Sequence, residues 1–281
     1  MTFVIPIQND NLGGSIWLRH IGFTLLNMGF GVQFCGYDDD TSRFDYVITQ
    51  SEWIEKPAYL TSKKAIVLLG HFTNVVYPDS TKIRPQDIVL TQWKGEVVED
   101  WEKRSGLKSH YFPHGYFKRD QKSINGVIYD AIWFGMPSAY RDISRFNGLP
   151  IRSGETAREE IVADCSMSSK ICPNVDLNIP KGSRVDAPES ILNKSGYAVN
   201  ERLFWIPGAG GFQIADENPL VREFYDEDEV PMATAEDFNE IFNYYLKHPE
   251  VREKMSKKAH DRTMREHLYE HRITNILLPL L

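Results

Sequence analysis

The chain has 281 residues, 42% of them hydrophobic and 25% charged, and a net charge of −7 at pH 7. That length suits two ordinary domains, and the composition is that of a globular protein rather than a disordered chain. The acidic balance disfavours nucleic-acid binding through a generally basic surface and leaves room only for a local basic groove. Three cysteines, Cys35, Cys165 and Cys172, are too few and too odd in number for a disulfide framework, so a reducing compartment is expected. The opening MTFVIPIQND has no basic stretch leading into an apolar run, and no segment approaches the roughly 20 apolar residues that span a bilayer. A soluble, cytoplasmic protein is expected.

The first 120 residues alternate short apolar runs with helical stretches. Residues 3–7 are the first run, followed by the turn-rich QNDNLGGS. IWLRHIGFTLLNMG then places apolar residues at helical spacing and closes on Gly29. Further strand-like runs lie at 31–34, 46–49, 65–69 and 88–91. Near-continuous apolar strands between helices point to a parallel sheet covered on both faces, hence a doubly wound α/β domain over 1–120. The polar stretch 118–127 reads as a linker.

A second αβ series starts at 127–134 and turns at Gly135-Met136-Pro137. The pattern is weak from 151 to 200, apart from apolar runs at 161–163 and 171–175. It returns at NERLFWIPGAGGFQIAD and ends in helical runs at 236–246 and 250–268, with Pro249 at a helix start. Residues 1–120 are nearly neutral, so the acidity lies in the second half, much of it in EFYDEDE at 223–229, which reads as a solvated loop.

Two segments suggest chemistry. Asn9–Ser15 follows the first strand and opens a helix, where free N–H groups at Gly13 and Gly14 could hold an anion or a sugar hydroxyl. It matches neither the dinucleotide nor the P-loop glycine pattern. The second segment runs from Glu201 to Phe212: an apolar helix meets Gly210-Gly211, which would let a ligand approach the backbone closely, and Arg202 offers a bidentate contact to phosphate.

The stretch GYAVNERLFWIPGAGGFQIAD, the acidic FYDEDEV and the closing EDFNEIFNYYLKHPEVREKMSKKAHDRTMREHLYEHRI together resemble the donor half of GT-B glycosyltransferases, specifically the spore-maturation, CgeB-like group. IYDAIWFGMPSAYR resembles the first donor-domain strand followed by an arginine, Arg141. NLGGSIWLRHIGFTLLNMGFGVQF and KSHYFPHGYF look, more loosely, like parts of a GT-B acceptor domain. The resemblance implies two Rossmann-like domains facing a central cleft: an acceptor domain over 1–120, a donor domain over 121–260, and a segment 261–281 packing back on the first domain. It implies transfer of a sugar from a nucleoside-diphosphate sugar, a UDP-sugar, without a bound metal or other cofactor.

Charge then grows on the leaving diphosphate, and Arg141 and Arg202 are the candidates to meet it. An inverting enzyme also needs a base at the acceptor hydroxyl, for which Asp10 and His71 stand at strand ends. One departure concerns Trp205, where the family carries a glutamate that accepts from the donor ribose. An indole only donates, so either Glu201 takes that role, or the tryptophan packs against the donor differently, or the donor is unusual.

The acceptor is open between a glycan, a lipid-linked sugar, a small molecule and a hydroxymethylated base in DNA. A phage-type DNA glycosyltransferase, acting in the host cytoplasm, would need a cationic cleft. Arg19, Lys63, Lys64, Lys94, Lys103, Arg104, Lys108, Lys118 and Arg119 are available for it, with Trp17, Trp53, Trp93 and Trp101 to stack on bases. A non-catalytic nucleotide-sugar-binding module is the rival from another class. His267-Leu268-Tyr269-Glu270-His271 spells a zinc-protease pattern, but the closing helix of the family explains the same letters.

Overall fold

A computed structural model describes residues 1–7, 13–69, 82–118, 127–134, 143–154, 166–175 and 198–281. The chain divides into two compact units: Met1–His114 with Tyr269–Leu281, and Gly115–Leu268. The final segment thus joins the first unit from Tyr269 onward, while residues 261–268 stay with the second.

The first unit holds a six-stranded sheet of β1 (Thr2–Pro6), β2 (Gly31–Cys35), β3 (Tyr46–Gln50), β4 (Ala65–Leu69), β5 (Ile88–Thr91) and β6 (Ser109–Tyr111). The order is β2-β1-β3-β4-β5-β6, and every pair is parallel. A parallel sheet needs helices on its faces, which is why β4 is buried along its whole length. Helix α1 (Gly13–Asn27) lays Trp17, Leu18, Ile21 and Leu25 into the core at helical spacing. It comes so close to the sheet that a side chain at Gly22 would meet the Phe34 ring at 2.6 Å and Ile5 at 2.7 Å. Gly29 then stops the helix at φ +89°, a conformation that favours glycine.

A buried ionic cluster ties α2 (Pro57–Leu60) to the starts of β4 and β5. The fully buried Asp87 carboxylate accepts from Ala65 N at 2.8 Å, the Tyr59 hydroxyl at 2.8 Å and Arg84 Nε at 3.0 Å. Burial, reinforced by the bond to Asp87, pushes the Tyr59 hydroxyl up to about 12. The folded chain therefore holds this proton more tightly than the unfolded chain, whose tyrosines ionise near pH 10. The stabilisation is fully present below about pH 10 and is lost as pH rises toward about 12. Urea midpoints should accordingly fall between pH 9.5 and pH 11.5, and fall less in Tyr59→Phe; equal slopes in the two proteins would contradict this.

The second unit holds a five-stranded sheet of β7 (Tyr129–Phe134), β8 (Ile151–Gly154), β9 (Ser169–Asn174), β10 (Gln213–Asp216) and β11 (Met232–Ala233). Its order is β11-β10-β9-β7-β8, and it too is wholly parallel. Helices α4 (Arg202–Gly208), α5 (Phe238–Lys247) and α6 (Pro249–Glu266) belong to this unit, while α3 (Glu96–Ser105) and α7 (Tyr269–Arg272) lie in the first. The core under α5 joins Ala131, Ile171, Ile214, Phe238, Phe242 and Met255. Among the described residues no helix is long and apolar enough to cross a membrane.

One expectation changes here. The helix expected to run through Leu268 ends at Glu266, because His267 leaves helical geometry and its carbonyl accepts from Tyr116 N at 2.8 Å. The two histidines of the zinc-protease pattern therefore do not share a helix. His267 is buried against Phe204, Phe224 and Tyr225, with Nε2 2.8 Å from the Phe224 carbonyl. No group of three or more metal-ligating side chains occurs among the described residues. The acidic loop is exposed at Asp226, Glu227 and Asp228, as expected, and is also tied to α6: Arg262 reaches Asp226 at 2.7 Å and Glu229 at 3.1 Å, and Lys258 pairs with Asp228.

Candidate functional site

In an open parallel sheet the ligand crevice lies beyond the carboxyl ends of the strands, where the strand order reverses. In the second sheet that point falls between β7 and β9, since β8 lies to one side of β7 and β9, β10 and β11 to the other. The strands there end at Phe134 and Asn174, and β10 ends beside them at Asp216.

Polar side chains gather at this rim and, with Gln213 at the start of β10 opposite Cys172, just below it. Asn174 Nδ2 donates to Gln213 Oε1 at 3.0 Å, and Gln213 Nε2 donates to the Leu203 carbonyl at 2.9 Å. Arg202 is 3% exposed. Its Nη2 donates to the carbonyl of Val175, just past β9, at 3.1 Å, and its backbone N–H donates to Asn200 Oδ1 at 3.0 Å. Asn218, just past β10, donates to the Ala198 carbonyl at 2.9 Å. The segment 198–203 is thus laced to the ends of β9 and β10 through side chains. Arg145 Nη1 donates to Asp216 Oδ1 at 2.6 Å, and both side chains are mostly buried. Beyond β10 and β11 lies a cleft of about 400 Å³ lined by Glu217, Arg222, Thr234, Asp237 and Tyr245, among others.

Of the residues expected to form the site, Glu201, Arg202, Trp205, Gly210 and Gly211 fall together in the second unit. Glu201 precedes α4 and is half-buried. Arg202 braces the rim as described. Trp205 is 4% exposed, so the position that carries glutamate in the resembling family is here a core position. Gly210 sits at φ +83°, where the chain turns out of α4. A side chain at Gly211 would meet Ser166 Cβ at 2.8 Å and Ile206 Cγ2 at 3.0 Å. Packing inside the fold therefore accounts for that glycine without a ligand.

Gly13 and Gly14 are the first residues of α1 in the first unit. Asp10, His71 and Arg141 lie outside the described residues, as does most of the linker expected at 118–127. Of the tryptophans considered for stacking, Trp17 and Trp101 are core residues, while Trp53 is half-buried and stacked on Tyr37 at 4.4 Å. Some of the candidate cations are engaged: Lys94 sits over the Tyr111 ring at 4.3 Å, Arg104 pairs with Asp100 and Lys108 with Glu102. Sequence reasoning passed over Asn174, Gln213 and the Arg145–Asp216 pair. The signal for the first was a polar residue ending an apolar strand run, ICPNV.

Residues 125–278 match the family model described as glycosyl transferase-like. No curated protein matches the chain in sequence. Among solved structures, HepE of Anabaena in complex with UDP and glucose is similar at a TM-score of 0.63 and 7% identity, over 99% of this chain and 98% of that one. An α-glucosyltransferase in complex with UDP and a 13-mer DNA containing an HMU base is similar at 0.70 and 8%, over 100% and 99%. The DNA-modifying enzyme β-glucosyltransferase is similar at 0.64 and 11%, over 94% of each chain. At these identities the likeness is one of fold.

Proposed function

The chain belongs to the glycosyl transferase-like family, and on that premise we propose that this glycosyltransferase moves a sugar from a UDP-sugar to a hydroxyl acceptor. The second unit holds the donor and the first unit the acceptor. Within the family we place it in the CgeB-like group, on the run from Gly196 to Arg272. The observation that carries the donor assignment is the rim of the second sheet, where the laced segment 198–203 meets the ends of β9 and β10 beside the topological switch point.

In this reading the sugar leaves and negative charge builds on the diphosphate. Arg141 is the cation that meets it, without a metal. Arg202 holds the 198–203 segment, and Glu201 at its end is the carboxylate that accepts from the donor, since Trp205 is committed to the core. Asp10 or His71 would serve as base if the reaction inverts. A panel of nucleotide sugars tests the proposal: one UDP-sugar should raise the Tm by several degrees and release UDP slowly without acceptor. Tight binding with no turnover would instead identify a nucleotide-sugar-binding module, and no binding to any donor would sink the reading.

The likeness, over most or all of the chain, to an α-glucosyltransferase bound to DNA containing an HMU base and to a DNA-modifying β-glucosyltransferase favours a second acceptor, a hydroxymethylated base in DNA. DNA binding releases counterions, so affinity for such DNA should fall steeply between 50 and 200 mM salt, by roughly 10³-fold or more if six phosphates are contacted. A neutral glycan acceptor should show almost no slope. A flat salt dependence for hydroxymethylated DNA would eliminate the DNA acceptor.

A further inference from the structure

The hydrogen bonds around Asn174 decide which way its amide points. The Leu203 carbonyl can only accept, and it takes the Gln213 Nε2–H at 2.9 Å. Gln213 Oε1 is then the atom turned toward Asn174, which must offer its Nδ2 to it, at 3.0 Å. Asn174 Oδ1 is left over. It is buried in a residue only 3% exposed and accepts no hydrogen bond. A buried acceptor in that state has given up its water and received nothing in return, which native proteins seldom tolerate except where a ligand or a bound water completes the bond.

The place of this atom in the fold argues for a ligand. Asn174 ends β9 beside β7, at the point where the strand order of the second sheet reverses. The next residue, Val175, has its carbonyl held by Arg202. We infer that Asn174 Oδ1 accepts a hydrogen bond from an N–H or O–H group of the bound nucleotide sugar and determines donor specificity, with Gln213 as the positioning residue that aims it. This inference rests on the donor assignment above. The oriented amide excludes phosphate as its partner, because two acceptors repel. The ligand group is neutral and donating: the ring N–H of uracil, or a hydroxyl of the ribose or the sugar.

Calorimetric titration of UDP, CDP, 2′-deoxy-UDP and UDP-glucose into wild type and Asn174→Leu tests this and separates the sources. Uracil carries an N–H at ring position 3 where cytosine carries a bare nitrogen. If the base is the partner, wild type prefers UDP to CDP by about tenfold or more, and the preference collapses in the variant. If a hydroxyl is the partner, UDP and CDP bind alike, while the deoxy analogue or the sugar-free nucleotide binds about tenfold less well, and that difference collapses instead. Gln213→Leu, which frees the amide without removing it, should weaken the same selectivity and raise KM for the donor with little change in kcat. Should Asn174→Leu fail to fold, Asn174→Ser is titrated in its place and read in the same way. The inference is overturned if the variant binds all four ligands as wild type does, since Oδ1 would then hold only water. Failure of wild type to bind any of them would overturn the donor reading along with it.

Discussion

Asp87→Ala should lower the stability of the first unit by about 3–5 kcal/mol, the usual cost of breaking a buried ion pair by removing one partner. The loss is large because one carboxylate serves three donors at once. Ala65 N–H at the start of β4, the Tyr59 hydroxyl on α2 and the Arg84 guanidinium all turn to it, and its side chain has no exposure. Asp100→Ala is the control: its pair with Arg104 is a solvent-exposed i,i+4 contact, and its removal should cost less than about 1 kcal/mol. Urea unfolding followed by circular dichroism would read both. Similar small shifts in the two variants would mean that the Asp87 cluster is not the brace it is taken to be.

Arg202→Ala should also destabilise the chain with no ligand present, by about 2–3 kcal/mol, because the Val175 carbonyl loses its donor inside the protein. This outcome separates two roles for the same residue. An arginine that served only to bind phosphate would leave the Tm of the free protein unchanged, and its loss would appear in donor affinity alone. A brace lowers both, since the 198–203 segment it holds stands at the donor rim. Arg202→Lys, which keeps the charge but not the planar fork, should recover only part of the stability.

The fold was legible where burial left a strong pattern. Residues 65–69 and 88–91 read as strands because a central parallel strand is covered on both faces, and β4 and β5 are buried throughout. What escaped pattern reading lies at the sheet edges. β6 (SHY), β8 (IRSG) and the two-residue β11 each have a neighbour on one side only, and their sequences are short or polar. Only the family resemblance took in the segment of β6, as part of KSHYFPHGYF.

The site was legible in its neighbourhood more than in its roles. Glu201 and Arg202 stand at the carboxyl rim of the second sheet, but Gly211, packed on Ser166 ahead of β9, lies at the other end of the strands, and Arg202, Gly211 and Trp205 prove to have reasons inside the fold. A guanidinium that braces two backbone segments and one that grips phosphate look alike in sequence. Only the Val175 carbonyl, 27 residues away along the chain, tells them apart. Asn174 was missed for a related reason: its amide is oriented by Gln213, and that pairing is invisible without the register of β9 against β10.

Hydrogen exchange with and without saturating UDP-glucose tests the donor assignment most directly. Protection should rise in peptides covering 166–175 and 198–220, the end of β9 and the laced segment with the end of β10, and change little across 31–69. Protection confined to the first unit, or none at either rim at a concentration that saturates binding, would contradict it.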